Sequence, residues 1–420
     1  MSEAKNADTQ LTKKSRKQLR SATELKFYMK EWFQNIREGA KQGKLFGICG
    51  PDEAEEIYAA FGMPAIVIPW WSSIIASKRM SEYYGNLLAD KNYDTTNYYL
   101  SLGLACTMDN NPERAPWGGL PKPSIITGVS EIAEIWAREY GCPNFPLEIR
   151  YWPPTKPWYP RWWERIRDHW DEMIDPHLLD FKVEDLKALI RFLEIETGRT
   201  FSVAGFNEVM ELINEQEDYW AMARDLIAET VPCPVGLPDQ LSMYPAQWFR
   251  GTPEGRDLIK NFYVEVKDRV DKGEAACPNE KFRLMWIGAG LWSNTAFYQY
   301  FEEQYGATFV CTLYTSIAAD MYSRTTLNND PLRTLAGRYL MLPVGDPAYM
   351  LHIAKMHKVD GLIGLKRGSS WTCTTQVYQL FENAGIPTVE IPGNMVDARQ
   401  WDDAKVRSIV SDFIETRLLS

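Results

Sequence analysis

Metal-knuckle spacing is missing from this chain. Seven cysteines are scattered through 420 residues, and no two are close enough for a CxxC pair. Their odd number and wide spread exclude a secreted disulfide framework and fit a reducing cytoplasm. Histidine is scarce: His169, His177, His352 and His357 show no ligand spacing, and all four read as structural or surface residues. GxGxxG, Walker A, HExxH and GxSxG are all absent, which removes the usual signatures of dinucleotide, nucleotide, zinc-protease and serine-hydrolase chemistry. No run of about 18 apolar residues occurs, so no spanning helix is expected. No apolar segment follows the basic run Lys13–Arg20, so no signal peptide is expected either. The net charge of −10 argues against nucleic acid as a partner, because phosphate binding needs clustered Lys and Arg.

What is abundant is tryptophan. Sixteen are present, with "PWW" at Pro69–Trp71 and "YWPPTKPWYPRWW" at Tyr151–Trp163. Core packing and a large subunit interface are the plain explanations. A flat apolar pocket for an aromatic or acyl group is the sharper one. With 45% apolar and 24% charged residues, the chain has the composition of a globular protein long enough for two or three domains.

Hydrophobic periodicity divides it into four parts. Residues 1–21 read as a disordered basic tail. Residues 22–160 form an N-terminal α/β domain. Ala22–Gln42 is an amphipathic helix with Leu25, Phe27, Tyr28, Trp32, Phe33 and Ile36 near one stripe. "KLFGICG" is then a strand, "PDEAEEIYAAF" a helix with acids in its first turn, and "MPAIVIP" a strand. Pro123–Ile149 repeats the strand–helix–strand pattern. Residues 161–279 are a helical middle segment, and residues 280–420 form a C-terminal α/β domain with strands at "KFRLMWIG", "ATFVCTLY", "DGLIGL" and "IPTVEI". The expected fold is therefore α/β: two Rossmann-like domains with open parallel sheets and a helical middle segment. In such sheets ligands bind beyond the carboxyl ends of the strands.

Strand-end position selects the candidate substrate contacts: Trp70, Trp71, Ser293, Asn294, Ser370 and Trp371. Ser293 and Asn294 close the glycine turn "GAGLWSN", whose amides suit a phosphate or carboxylate. Cys106, Cys142 and Cys373 are the thiols nearest to strand ends or their loops, and so the candidate metal ligands. Cys373 lies among Ser369, Ser370, Thr372, Thr374 and Thr375 just ahead of a helix, a place where a thiol pKa falls.

The pieces "GICGPDEAEEIYAAFGMPAIVIP", "SIITGVSEIAEIWAREYGCP" and "VDGLIGL…SSWTCTT…GIPTVEIPGNMVDARQ", in that order, resemble the 2-hydroxyacyl-CoA dehydratase and benzoyl-CoA reductase family from about Gly43 to the end. "EEQYGATFVCTLYT" and "NNDPLRTLAGRY" look most like the larger substrate-reducing subunit of benzoyl-CoA reductase. The resemblance implies a heterodimer of paralogous subunits and a [4Fe-4S] cluster held by three cysteines per subunit at the domain junction. It also implies a separate ATP-hydrolysing iron–sulfur activator that delivers single electrons to an acyl-CoA thioester. The chain departs from that pattern. Thr95 and Thr96 stand where one family cysteine is expected, the "TGVSE" segment has no thiol at the second place, and Ser370 takes the third. Hydroxyls are poor ligands for iron–sulfur clusters.

Three readings follow. In the first, the chain is a cluster-poor subunit of a cytoplasmic, anaerobic, benzoyl-CoA-reductase-like enzyme, paired with a cluster-bearing paralogue. In the second, it is a 2-hydroxyacyl-CoA dehydratase subunit with its own cluster on Cys106, Cys142 and Cys373. In the third, it is a non-catalytic scaffold.

Overall fold

The computed structural model describes residues 15–51, 54–93, 98–128, 131–147, 160–288, 290–340, 345–366 and 375–419. The front half contains α1 (Arg20–Lys41), β1 (Gly47–Cys49), α2 (Glu55–Ala60), β2 (Ala65–Val67), α3 (Ile68–Ser77), α4 (Ser81–Asp90), α5 (Tyr98–Asp109), β3 (Ile125–Thr127), α6 (Glu131–Tyr140) and β4 (Asn144–Phe145). The middle segment holds α7 (Trp170–Met173), α8 (Pro176–Thr197), α9 (Val203–Glu229), α10 (Leu237–Met243) and α11 (Pro253–Asp271). The rear half runs β5 (Phe282–Ile287), α12 (Phe297–Tyr305), β6 (Ala307–Thr312), α13 (Leu313–Met321), α14 (Pro331–Leu340), α15 (Pro347–Met356), β7 (Gly361–Leu365), α16 (Thr375–Asn383), β8 (Thr388–Ile391) and α17 (Asp403–Phe413).

Among the described residues the strands make two four-stranded parallel sheets, ordered β2-β1-β3-β4 and β6-β5-β7-β8. The fold is thus α/β in two domains. Each sheet reverses its direction of growth once, between β1 and β3 in front and between β5 and β7 behind. A crevice opens at such a switch point, outside the carboxyl ends of the central strands. The central strands are buried on both faces: Gly47–Cys49 and Gly361–Leu365 have no exposed position, as parallel strands covered by helices require. Gly47 is needed because the Tyr58 ring of α2 lies against β1, 2.4 Å from where a Cβ would stand. Gly288, at φ 124°, ends β5 with Leu365 Cβ 2.9 Å from its own Cβ position, so a side chain there would be both strained and blocked.

The middle helices begin and end on local signals. Asp175, Ser202 and Thr252 accept hydrogen bonds from the first turns of α8, α9 and α11, and Pro176 and Pro253 occupy the first helical position. Gly198 closes α8 in the left-handed conformation. The long α9 packs against α2 of the front half and against α13 and α14 of the rear half, so it bridges the two sheets.

Two expectations change. Residues 15–21, assigned on composition to the basic tail, pack against the body of the chain, and Leu19 is buried. Gln18 and Leu19 donate backbone N–H groups to Asp239, and Arg20 and Ser21 donate theirs to Glu265 at 2.7 and 2.8 Å. The first N–H groups of a helix have no partner within it; here carboxylates of α10 and α11 supply them, a long-range cap that composition does not reveal. On α1 itself the buried stripe is Leu25, Met29, Phe33 and Ile36, while Phe27 is 67% exposed. No described helix is long and apolar enough to cross a membrane.

Candidate functional site

The front switch point is framed by Cys49 and Gly50 at the end of β1 and by Thr127 and Gly128 at the end of β3. The rear one is framed by Gly288 and Lys366. Ser370, Trp371 and Cys373, together with Thr95 and Thr96, lie outside the described residues.

Trp70 and Trp71 turn away from the crevice. The chain passes from β2 directly into α3, and the helix carries both indoles into the core, where they are 2% and 0% exposed. Trp71 stacks on Phe33 at 4.8 Å, and Trp70 meets Trp32 edge-on at 5.5 Å. Trp117 and Phe249 complete the cluster, and Trp70 Nε1 faces Met29 Sδ at 3.3 Å. Both residues therefore stand as core packing, the plain reading of the tryptophan excess. Asn294 is buried and donates from Nδ2 to Asp403 at 2.8 Å, which ties the β5 turn to the start of α17. Ser293 beside it is half-buried.

What the structure brings together instead is a buried ionic cluster that sequence reading missed. Glu55 and Glu56 lie in the first turn of α2, just past β1. Glu56 pairs with Arg338 and accepts the Tyr339 hydroxyl, both from α14 of the rear half. Arg250 lies 3.7 Å from Glu55 and 3.7 Å from Glu217 of α9. Gln247, with its amide turned to donate, reaches both Glu217 oxygens at 3.0 and 3.1 Å. The Tyr322 ring packs under two guanidinium groups, Arg250 at 4.0 Å and Arg338 at 4.6 Å from its centroid. Every charged member is at most 4% exposed.

Buried charges on this scale persist only when paired and hydrogen-bonded. The cluster joins α2, α9 and α14, so it fixes the front half against the rear half next to the carboxyl end of β1. Ala54, at the head of α2, has φ 129°, a conformation costly for a residue with a Cβ. The backbone is thus strained at the point where β1 hands over to the two glutamates. In the sequence these acids read as helix-dipole complements in "PDEAEEIY", because their partners lie 195 to 283 residues away.

The thiols give no cluster site among the described residues. Cys142 lies two residues before β4, which puts it on the amino side of a parallel strand, away from the carboxyl ends. Cys106 is buried on α5, where burial pushes its thiol up to about 11; Cys142 is pushed up to about 11 in the same way. Both lie near the buried Tyr140 phenol, whose ionisation they oppose. The one described thiol at the switch point is Cys49, fully buried as the last residue of β1, and strand position alone would have found it. At the end of β3 stands Thr127, fully buried, with a hydroxyl where soft sulfur would be needed. No group of three or more His, Cys, Asp or Glu side chains among the described residues is arranged to hold a metal ion. Burial of Cys106 and Cys142 disfavours the thiolate that a cluster ligand needs, and Cys373, the third candidate, lies outside the described residues. His357 is buried, bonded through Nδ1 to Ile353 O at 2.9 Å, and pushed down to about 3 by burial, so it is a neutral structural residue.

Two four-stranded parallel sheets, each with one switch point, joined by the bridging helix α9 and by a buried ionic cluster, define a two-domain α/β chain. Its family is shown by comparison: the model of the 2-hydroxyglutaryl-CoA dehydratase D-component matches residues 54–416, and the chain belongs to that family. It is also similar to the alpha subunit of (R)-2-hydroxyisocaproyl-CoA dehydratase from Clostridioides difficile, with 21% identity over 251 residues. That alignment covers 56% of this chain and 60% of the relative's length. Both matches carry dehydratase names and neither is named for benzoyl-CoA reductase, so the wider family resemblance stands and the reductase branch gains no support from them.

Proposed function

We propose that this chain is a subunit of a 2-hydroxyacyl-CoA dehydratase-like complex that works with a paralogous, cluster-bearing subunit and takes an acyl-CoA thioester as its substrate. The family match across residues 54–416 carries this reading; the alpha-subunit name of the relative supports a heteromeric assembly. The dehydratase reading replaces the aromatic-ring reductase as the first choice.

A [4Fe-4S] cluster needs thiolates, and the described strand ends offer one buried thiol, Cys49, together with the Thr127 hydroxyl. The low-potential cluster therefore belongs to the partner in this account, charged by an ATP-hydrolysing iron–sulfur activator. This chain's own residues supply a wall. The lock of Glu55, Glu56, Glu217, Arg250 and Arg338 ties the front half to the rear half, and the buried aromatic cluster around α3 stiffens the front half. Exclusion of water protects reactive intermediates from quenching.

The test is reconstitution. The chain, its paralogue and the activator are purified without oxygen, and dehydration of a 2-hydroxyacyl-CoA is followed with each component omitted in turn. Activity that needs both paralogues supports the proposal. Full activity from the paralogue and activator alone would reduce this chain to a bystander.

A further inference from the structure

Two residues beyond Tyr322, in the turn after α13, stands a guanidinium unlike the others. Arg324 is 0% exposed. Its backbone is clamped by Asn214 of α9, which accepts the Arg324 N–H at 3.1 Å and donates to its carbonyl at 2.9 Å. The side chain uses one atom, Nη1, to reach Ser323 O at 2.8 Å. Its Nε and Nη2 are buried without a hydrogen-bond partner among the described residues. No opposite charge offsets its burial, which pushes the group down to about 9 and so leaves it protonated at neutral pH. The glutamates of the interdomain lock pair with other guanidiniums: Glu56 with Arg338, and Glu55 and Glu217 with Arg250.

Which atoms are unused matters. Nε–H and the adjacent Nη2–H point the same way from one edge of the guanidinium plane. That edge is the fork that matches two oxygens of one oxyanion. A buried arginine with no acid costs more than an apolar side chain of the same volume, so a fully buried fork left open is a binding feature rather than packing. A monoanion neutralises a single guanidinium; a phosphate dianion would replace one buried charge with another.

We propose that Arg324 is the receptor for a carboxylate carried by a small ligand, gripped side-on through Nε and Nη2. The site lies on the turn that also carries Tyr322, whose ring packs against Arg250 and Arg338 of the interdomain lock. The inference stands apart from the dehydratase reading and needs no cluster.

The experiment uses the full chain and four sodium salts, acetate, propionate, chloride and phosphate, at matched ionic strength. Thermal midpoints and calorimetric binding are measured for the native protein, Arg324→Lys and Arg324→Met. The expected result is a saturable rise in midpoint with acetate and propionate only. That response should be weakened at least tenfold in Arg324→Lys, which keeps the charge and loses the fork, and abolished in Arg324→Met. Three outcomes each overturn the proposal: no carboxylate-specific response in the native chain, an equal response to chloride or phosphate, or a full response in Arg324→Lys. Should Arg324→Met fail to fold, the anion series on the native chain and Arg324→Lys decides the matter.

Discussion

The two halves of this chain carry the same strand order on sheets of unequal depth. Strands in the front sheet run two or three residues, and those in the rear sheet four to six. A short ladder fixes few hydrogen bonds, so the front half must draw its stability from elsewhere. Two sources are visible: the aromatic cluster of Phe33, Trp70, Trp71 and Trp117, and the ion pairs that Glu55 and Glu56 send to Arg250 and Arg338. The rear half has a deeper sheet, with Trp286, Phe297, Tyr298 and Phe309 packed around β5 and β6. The front half leans on the rear through charge.

The contrast breaks most sharply at Glu56. Glu56→Ala leaves Arg338 buried without its carboxylate and the Tyr339 hydroxyl without its acceptor, and should cost about 3 to 5 kcal/mol in urea or thermal unfolding. The double variant Glu56→Ala with Arg338→Met should lose less than the sum of the single variants, because no orphaned charge remains. A strictly additive result would mean that the two halves are not joined by this pair. Trp71→Ala removes a stacked, fully buried indole and should also cost about 3 to 5 kcal/mol. If Trp71 is core, as its place in α3 implies, the loss appears without any ligand. A variant of native stability with weakened acyl-CoA binding would return Trp71 to the substrate wall.

Much of the architecture was legible before any coordinates. The period-two and period-3.6 patterns placed the rear strands, the two long middle helices and the front β-α-β unit, because these segments bury one consistent face or lie wholly inside. The strap at residues 15–21 was not legible, since its partners Asp239 and Glu265 are more than 200 residues away in sequence. The site was harder still. Trp70 and Trp71 sit at a strand end in the sequence, but a helix that begins at Ile68 without a turn carries them inward. Glu55, Glu56, Arg250, Arg324 and Arg338 look like ordinary charged residues, because nothing local distinguishes a buried charge from a solvated one.

A smaller effect belongs to the rear half alone. Glu302 of α12 is 6% exposed, and burial, with help from Asp239, Glu303 and Glu280 and against the pull of Arg16, raises its pKa from 4.5 to about 7. The folded state holds this proton after the unfolded chain has released it. Stability should therefore fall as pH rises from about 4.5 to about 7, by roughly 3 kcal/mol from this group. Glu302→Gln should flatten that slope and be the more stable protein at pH 7.5. An unchanged slope in chemical denaturation across this range would refute the assignment. The smallest effect is at the cap of α9, the bridge between the halves: Ser202→Ala removes the acceptor for Gly205 N–H and should cost about 1 kcal/mol. A loss much above that in thermal unfolding would show that the bridge depends on its cap more than on its packing.

The central claim is that this chain shapes the crevice while the cluster resides in its partner. Iron and acid-labile sulfide, with low-temperature EPR, should be measured on the chain purified without oxygen, first alone and then co-expressed with the proposed partner subunit. Iron is expected only in the co-expressed complex. About four irons per chain in the isolated protein, the content of one [4Fe-4S] cluster, would contradict it.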